Sequence, residues 1–438
     1  MNFWGIINKS LVKETFIYTV TDMVGKAMSF FLLPFISYYL APEELGIATN
    51  FTVLTSLLTL LAGIALVNSL PYFFYEQTRN ENRIMVSNLL FLCVTLCLLV
   101  GILMLCCRTI IFFYLQLNNP IILLAVIFVF FNIVTQTSLI ILRLENSPRL
   151  FAYFQITQIL THAAVVILFV IYYQWGGLGK IYAEVLVFFL LGCAHAFLLL
   201  KRGYLIMKFD FSCIIRLLKF GLPLLPHSVS FWFKSGADKV FITTFCGLYY
   251  NGLYSMALTI CSIYSMLTHS FFNAYTPYLQ KRIAGVSLEL EKVEKSAIVK
   301  QIYIIYFIFF FVSIIAVCGA WIIINYFIDH KYSSSFHYVP ILILSYFIYT
   351  MYSFTIQFVY KAKKTMVMGI ITFCGSLLQT LLSYLLIQHC GVIGAAYSLL
   401  VGNTIVTSLI FIYSNRVFPM PWFSISIWKK QSDVSKKI

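Results

Sequence analysis

Residues 89–107 read LLFLCVTLCLLVGILMLCC, nineteen positions with one hydroxyl and no charge. About 20 apolar residues at 1.5 Å each cross the roughly 30 Å hydrocarbon core of a bilayer as a helix. A membrane-spanning β-strand would instead alternate apolar and polar residues over about ten positions. Residues 121–131 (IILLAVIFVFF) are likewise unbroken. In lipid every backbone N–H and C=O must be paired within its own segment or a closed barrel, so these runs are read as helices.

The rest of the 438-residue chain agrees. Hydrophobic types make up 61% and charged types 10%, with mean hydropathy +0.91. Soluble domains carry roughly 25% charged residues. Twelve candidate spans follow, at 15–40, 46–73, 84–107, 120–142, 151–173, 179–200, 219–244, 250–275, 300–324, 338–360, 366–388 and 393–414. The expectation is an all-α polytopic membrane protein of about twelve transmembrane helices. The run after Glu14 reaches Leu40. That exceeds a signal-peptide core of about 7–15 residues and is expected to stay as the first span.

A net charge of +15 would suggest nucleic acid on a soluble protein, but here the cations mark topology. With the N-terminus inside, 24 of the 30 Lys and Arg fall on inner loops and helix ends. Three (Arg108, Lys180, Lys331) fall outside, and three (Lys26, Lys234, Lys239) fall within spans. This asymmetry places both termini in the cytoplasm and excludes nucleic acid as the partner. The eleven cysteines lie mostly inside apolar runs. No C-x-x-C pair or Cys/His spacing matches a zinc site, so they read as small buried hydrophobes and no metal is expected.

The halves are related. Gly46–Phe73 aligns without gaps on Gly252–Leu279, matching Gly46 with Gly252 and Pro71-Tyr72 with Pro277-Tyr278. Gly176-x-x-Gly179-x-x-Tyr182 matches Gly391-x-x-Gly394-x-x-Tyr397. A displacement of six spans keeps direction, so this is a parallel repeat of two six-helix lobes, at 1–205 and 206–415, with a cytoplasmic tail at 416–438. In transporters so built the substrate site lies between the repeats. Gly176-Gly177-Leu178-Gly179-Lys180 lacks the spacing of a phosphate loop and reads as a tight turn. With no other nucleotide motif, no cofactor is expected.

Charges inside spans are costly and normally face a cavity or one another. Asp22 and Lys26 are spaced i,i+4 in span 1. Lys234 and Asp238 repeat that spacing in span 7, with Lys239 next to them and His227 earlier. At 1.5 Å per residue, Lys26 lies roughly 16 Å from the inner end of span 1 and Lys234 roughly 22 Å from that of span 7. These six residues are the candidate cavity site; the alternative is internal ion pairs that orient packed helices. Polar stripes (Asn132, Thr135, Gln136; Gln155, Gln158, His162; Ser376, Gln379, Ser383) fit a hydrated path or interhelical hydrogen bonds equally well.

Several segments resemble O-antigen and polysaccharide flippases of the multidrug/oligosaccharidyl-lipid/polysaccharide exporter superfamily. They are Phe220-Gly-Leu-Pro-Leu-Leu-Pro-His-Ser-Val-Ser, Ala237-Asp-Lys-Val-Phe-Ile, Asn251-Gly-Leu-Tyr-Ser-Met-Ala, Phe272-Asn-Ala-Tyr-Thr-Pro-Tyr and Leu40-Ala-Pro-Glu-Glu-Leu-Gly-Ile. The resemblance implies a non-enzymatic transporter of the inner membrane. Its cargo would be undecaprenyl-diphosphate-linked oligosaccharide, moved from the cytoplasmic to the periplasmic face. Membrane lipid, a polysaccharide polymerase and chain-length proteins are the implied partners. Family members place cations in a central cavity, and Lys26 and Lys234 stand where such cations are expected; Asp238-Lys239 matches a recurrent acidic–basic pair. Two rivals are a small-molecule antiporter of the same superfamily and a membrane glycosyltransferase or O-antigen polymerase. The second usually carries a sizeable outer loop, and the longest here is around Asn325–Tyr338.

Overall fold

A computed structural model describes residues 9–206, 208–284 and 291–423. The side chains of Asp22, Lys26 and His227 lie outside the described residues.

The long helices fall where the sequence places the twelve spans. They are α1 (Lys9–Tyr39), α2 (Pro42–Thr59, continued by a π-helical turn Leu60–Ile64), α3 (Arg79–Cys106), the short α4 (Arg108–Leu115), α5 (Asn119–Leu144) and α6 (Pro148–Val166, continued by π turn Ile167–Tyr172). After these come α7 (Gly176–Lys201), the short α8 (Phe211–Gly221), α9 (Leu225–Cys246), α10 (Leu248–Ala284), α11 (Glu291–Tyr326), α12 (Val339–Lys361), α13 (Thr365–Cys390) and α14 (Ile393–Val417). Nine segments among the described residues are long and apolar enough to cross a membrane. Helix α9 is outside that set because it carries Lys234, Asp238 and Lys239 within one span's length. No strand occurs among the described residues.

The chain divides into two compact units: Met1–Ser255 with Phe327–Ser333, and Met256–Tyr326 with Ser334–Ile438. In the first, Phe51, Leu54 and Leu58 of α2 pack with Met85 and Leu89 of α3 and Ile122, Ala125 and Val129 of α5, all buried. Helix α2 starts on Pro42, and the Glu44 carboxylate accepts the Ala41 N–H at 2.8 Å, which satisfies a free donor and complements the helix dipole. Gly176 has φ +59, and a Cβ there would collide with the Glu44 carboxylate; a Cβ on Gly177 would lie 2.4 Å from the Glu44 carbonyl oxygen. The glycine-rich turn therefore lets the start of α7 close on the start of α2. The π turn of α2 contains Gly63 at φ +112, a conformation that side chains beyond hydrogen disfavour.

Two glycines matched by the sequence alignment, Gly46 and Gly252, lie at one contact inside the first unit. Pro42 corresponds to Leu248 and Gly46 to Gly252, and the first turns of α2 and α10 meet reciprocally. A Cβ on Gly46 would stand 2.3 Å from the Leu248 oxygen, and one on Gly252 1.8 Å from the Pro42 oxygen. Beside this contact Asn50 Nδ2 donates to the Leu115 carbonyl (2.7 Å) and Thr243 Oγ1 (3.0 Å), and Asn251 Nδ2 donates to Asn50 Oδ1 (2.8 Å). Both asparagines are fully buried. Asn50→Leu strands the Asn251 amide, the Thr243 hydroxyl and the Leu115 carbonyl. It is expected to cost about 1–3 kcal/mol, read as a lower unfolding midpoint of the purified protein.

Two connections are tied down by side chains. Asp329 N–H donates to Ser37 Oγ (3.2 Å), Lys331 Nζ to the Tyr38 carbonyl (3.0 Å) and Tyr332 OH to the Leu40 carbonyl (3.1 Å), fixing 327–333 to the end of α1. At the start of α3, Ser87 Oγ donates to the Tyr204 carbonyl and accepts the Ile206 N–H, both at 2.7 Å. Asn88 donates to the Lys208 carbonyl and accepts the Asp210 N–H, both at 2.9 Å. Asp210 in turn caps α8 through the Ser212 and Cys213 N–H groups.

In the second unit Tyr275, Leu279, Ile298, Ile302, Phe354, Phe358 and Trp422 form a buried core. Small residues close α12, α13 and α14 together: Gly402 sits against the Gln379 side chain and Gly375 against Val406, and Asn403 Nδ2 donates to Ser345 Oγ at 2.9 Å. Apolar helices in lipid gain little from burial as such, so close packing of small residues and interhelical hydrogen bonds carry the association. The eleven cysteines are unpaired.

Candidate functional site

A cavity of about 430 Å³ opens within the first unit. Helix α2 contributes Thr52, Ser56 and Thr59, one helical face. Helix α5 contributes Phe128 and Asn132, α7 contributes Glu184, and α9 contributes Ser228, Trp232 and Ser235. Trp232 is fixed by its Nε1–H, which donates to the Val53 carbonyl at 3.1 Å. Volumes of this order hold small ligands. Six serine and threonine hydroxyls, Asn132 and Glu184 are set in a wall otherwise built of Leu60, Phe128, Phe231 and Trp232; hydroxyls that donate to their own helix keep lone pairs that can accept from water or sugar.

Glu184 is the acid of this cavity. Lys180 lies one turn earlier on α7, and the two are within electrostatic reach of each other; His162 of α6 feels Lys180. All three are half-buried. By position in the sequence Lys180 falls with the outer loops, and Glu184 is not among the sequence candidates. The signal was present: an acid and a base spaced i,i+4 in an otherwise apolar run, the same spacing as in spans 1 and 7.

Helix α9 carries the span 7 candidates. Asp238 is buried, 8% exposed. Its Oδ1 accepts the Lys239 N–H at 2.8 Å and lies 3.5 Å from Lys239 Nζ, which also donates to the Ser235 carbonyl. Asp238 thus pairs with its neighbour Lys239, and Lys234 is half-buried one turn before it. The side chains of Asp22, Lys26 and His227, the other three candidates, lie outside the described residues.

The polar stripes separate by environment. Asn132 lines the cavity, whereas Thr135 is fully buried. Ser376, Gln379 and Ser383 are buried where α13 packs on α14, Gln379 against Gly402, so that stripe serves helix packing. His195, which the sequence reading did not single out, is sealed in: its Nδ1 lies 2.9 Å from Ser138 Oγ and its ring 4.5 Å from that of Phe154. No group of three or more His, Cys, Asp or Glu among the described residues could hold a metal ion.

Comparison with known proteins fits this architecture. Residues 11–283 match the family described as Polysaccharide biosynthesis protein. Two proteins of Haemophilus influenzae are each 22% identical to the chain. "Lsg locus putative protein 1" aligns over 294 residues, 65% of this chain and 70% of its own length. An "Uncharacterized membrane protein" aligns over 293 residues, 65% and 69%. Among solved structures, the lipid II flippase MurJ in an inward closed conformation superposes with TM-score 0.70 at 14% identity, covering 92% of this chain and 87% of that one. A multidrug resistance transporter of the MATE family, inward-facing, gives TM-score 0.69 at 15% identity, covering 94% and 98%. These superpositions establish a shared fold, and the family match spans more than half of the chain: this multi-pass membrane protein belongs to the polysaccharide biosynthesis protein family.

Proposed function

We propose that the chain is a flippase that carries undecaprenyl-diphosphate-linked oligosaccharide, an O-antigen or other surface polysaccharide unit, from the cytoplasmic to the periplasmic face of the inner membrane. The observation that carries this reading is the cavity that sets hydroxyls, Asn132 and one acid, Glu184, among aromatic rings, within membrane helices of a chain of a polysaccharide family. A diphosphate and a string of sugars cannot cross hydrocarbon unaided, because an isolated buried ion costs tens of kcal/mol in a Born estimate. A polar cavity exposed alternately to each side substitutes for water while the lipid tail stays in the bilayer. On this reading Lys26 and Lys234 hold the diphosphate, Glu184, Asp22, Asp238 and His227 are the groups available for ion or proton coupling, and hydroxyls line the sugar path. The asymmetry of Lys and Arg supports cytoplasmic termini. Likeness to the multidrug transporter supports a second reading, a small-molecule antiporter, which drug efflux assays would reveal.

The test is deletion of the gene followed by identification of the lipid-linked glycan that accumulates on the inner leaflet, with complementation by variants. Lys234→Arg is expected to export nearly as wild type, since the charge is kept and a bidentate donor is added. Lys234→Ala and Lys26→Ala should each lower export at least tenfold at equal membrane abundance. Full export by the double variant Asp22→Asn/Lys26→Ala would show that Lys26 only neutralises Asp22 and would remove it from the cargo site.

A further inference from the structure

At the end of the first unit where α3 begins and α5 and α7 end, a basin of about 530 Å³ is lined by Tyr75, Gln77, Arg79, Asn82, Glu145 and Tyr204. Its charges do not cancel. Glu145 is committed to an ion pair with Arg202 and accepts the Tyr204 hydroxyl at 2.8 Å. Glu81 is committed to the cap of α3, where it accepts from the Thr78 N–H and hydroxyl, both at 2.8 Å. Arg79 remains in the lining, and Arg83 stands one turn further along α3, behind it. The Arg83 guanidinium lies against Gly203, where a Cβ would come within 3.0 Å of it. Burial raises the Tyr204 phenol pKa, and Arg79, Arg202 and Arg83 oppose the rise, so three guanidinium groups converge on this point.

The second observation is a set of polar atoms with no partner. Asn82 is 4% exposed. Its Nδ2 donates to the Phe74 carbonyl at 2.8 Å, while its Oδ1 has no donor. Gln77 Oε1 is buried without a donor as well, and so is Arg83 Nε without an acceptor. Topology alone accounts for arginines at a helix end. It does not account for amide oxygens buried beside them and left open, since buried polar groups are normally satisfied. A bare phosphate would engage the arginines but repel the amide oxygens, and an uncharged polyol would leave the arginines unanswered. A molecule that offers both an anion and hydroxyl donors satisfies both.

We propose that this basin binds a phosphate ester bearing free hydroxyls, the head of a phosphoglycerol or glycosyl-phosphate lipid, with Arg79 and Arg83 on the phosphate and the Asn82 and Gln77 side-chain oxygens accepting from the hydroxyls. The site is separate from the cavity of α2, α5, α7 and α9 and stands whatever the transported cargo is. The experiment uses the full-length protein purified in a zwitterionic detergent, with four probes: dihexanoyl phosphatidylglycerol, dihexanoyl phosphatidylcholine, glucose 1-phosphate and inorganic phosphate. Dissociation constants and unfolding midpoints are measured for wild type, Arg79→Gln, Arg79→Gln/Arg83→Gln and Asn82→Leu.

Phosphatidylglycerol and glucose 1-phosphate are expected to bind at least tenfold more tightly than phosphatidylcholine or inorganic phosphate. Arg79→Gln should weaken them about tenfold, and Asn82→Leu should erase the preference for hydroxyl-bearing heads. Tighter binding of phosphatidylglycerol identifies a resident phospholipid as the occupant, and tighter binding of glucose 1-phosphate a glycosyl-phosphate head; either supports the site. Arg79 is exposed, so its single variant remains informative if the double variant unfolds. Equal affinities for wild type and Arg79→Gln, or no binding of either hydroxyl-bearing probe, overturn the proposal. Because the readout is binding, that result leaves the transport reading untouched.

Discussion

Gly252→Val is expected to remove nearly all properly folded protein from the membrane, the largest stability effect we foresee for a single substitution. The first atom added would stand 1.8 Å from the Pro42 carbonyl oxygen, and that neighbour is backbone with no rotamer to yield. The starts of α2 and α10 would have to separate by more than an ångström. That would stretch the Asn251–Asn50–Thr243 bonds, all within 3.1 Å. Overpacking in yielding sites costs about 1–3 kcal/mol; here the contact is rigid and the buried hydrogen bonds fail with it. Membrane abundance and the unfolding midpoint in detergent measure the effect. Gly46→Val should behave alike, since its Cβ would lie 2.3 Å from the Leu248 oxygen. Gly319→Ala is the control: nothing lies within 4 Å of its would-be Cβ, and helix propensity favours alanine by about 1 kcal/mol. If Gly252→Val accumulates and melts like wild type, the reciprocal contact has no part in stability.

Glu184→Gln should leave abundance unchanged and lower export at least tenfold. The side chain lies in the cavity wall among threonine and serine hydroxyls and Asn132. The amide keeps the shape while removing the charge and the exchangeable proton. Glu184→Asp should retain part of the activity, because it keeps the titratable group while shortening its reach. The competing explanation is that Glu184 only offsets Lys180 one turn away. The variant Lys180→Met/Glu184→Gln separates the two, since it removes both charges together. Restored export in that double variant would assign Glu184 to helix packing.

The sequence makes the helices legible because a bilayer asks so little of each one: length, apolarity and cations at one end. Hence the span at 84–107 ends within one residue of α3, and that at 120–142 falls within α5. Pairings between distant positions are much less legible. Gly46 and Gly252 could be matched as equivalent residues, but nothing in their spacing said that each would face the other's helix start. Glu184 carried a readable signal that was outweighed by the pairs in spans 1 and 7. The basin at Arg79 carried none, since an open amide oxygen such as that of Asn82 is defined by neighbours that only folding supplies. The stripe at Ser376, Gln379 and Ser383 shows the limit of pattern alone: the same residue types serve a cavity on one helix and a packing seam on another.

The ties that hold the 204–210 connection to α3 also constrain the order in which the protein can be made. Ser87 and Asn88 find their partners 117 to 122 residues later in the chain. While ribosomes deliver the chain from its N-terminus, α3 must therefore wait in the bilayer with these two side chains uncommitted until α7 has been threaded and the following residues released. Asn88 cannot be satisfied by its own helix alone, which offers it only the Ile84 carbonyl. A chain cut short anywhere before Tyr204 keeps that open amide at the membrane surface and remains distinguishable from a finished one, a difference that membrane proteases could act on during biosynthesis.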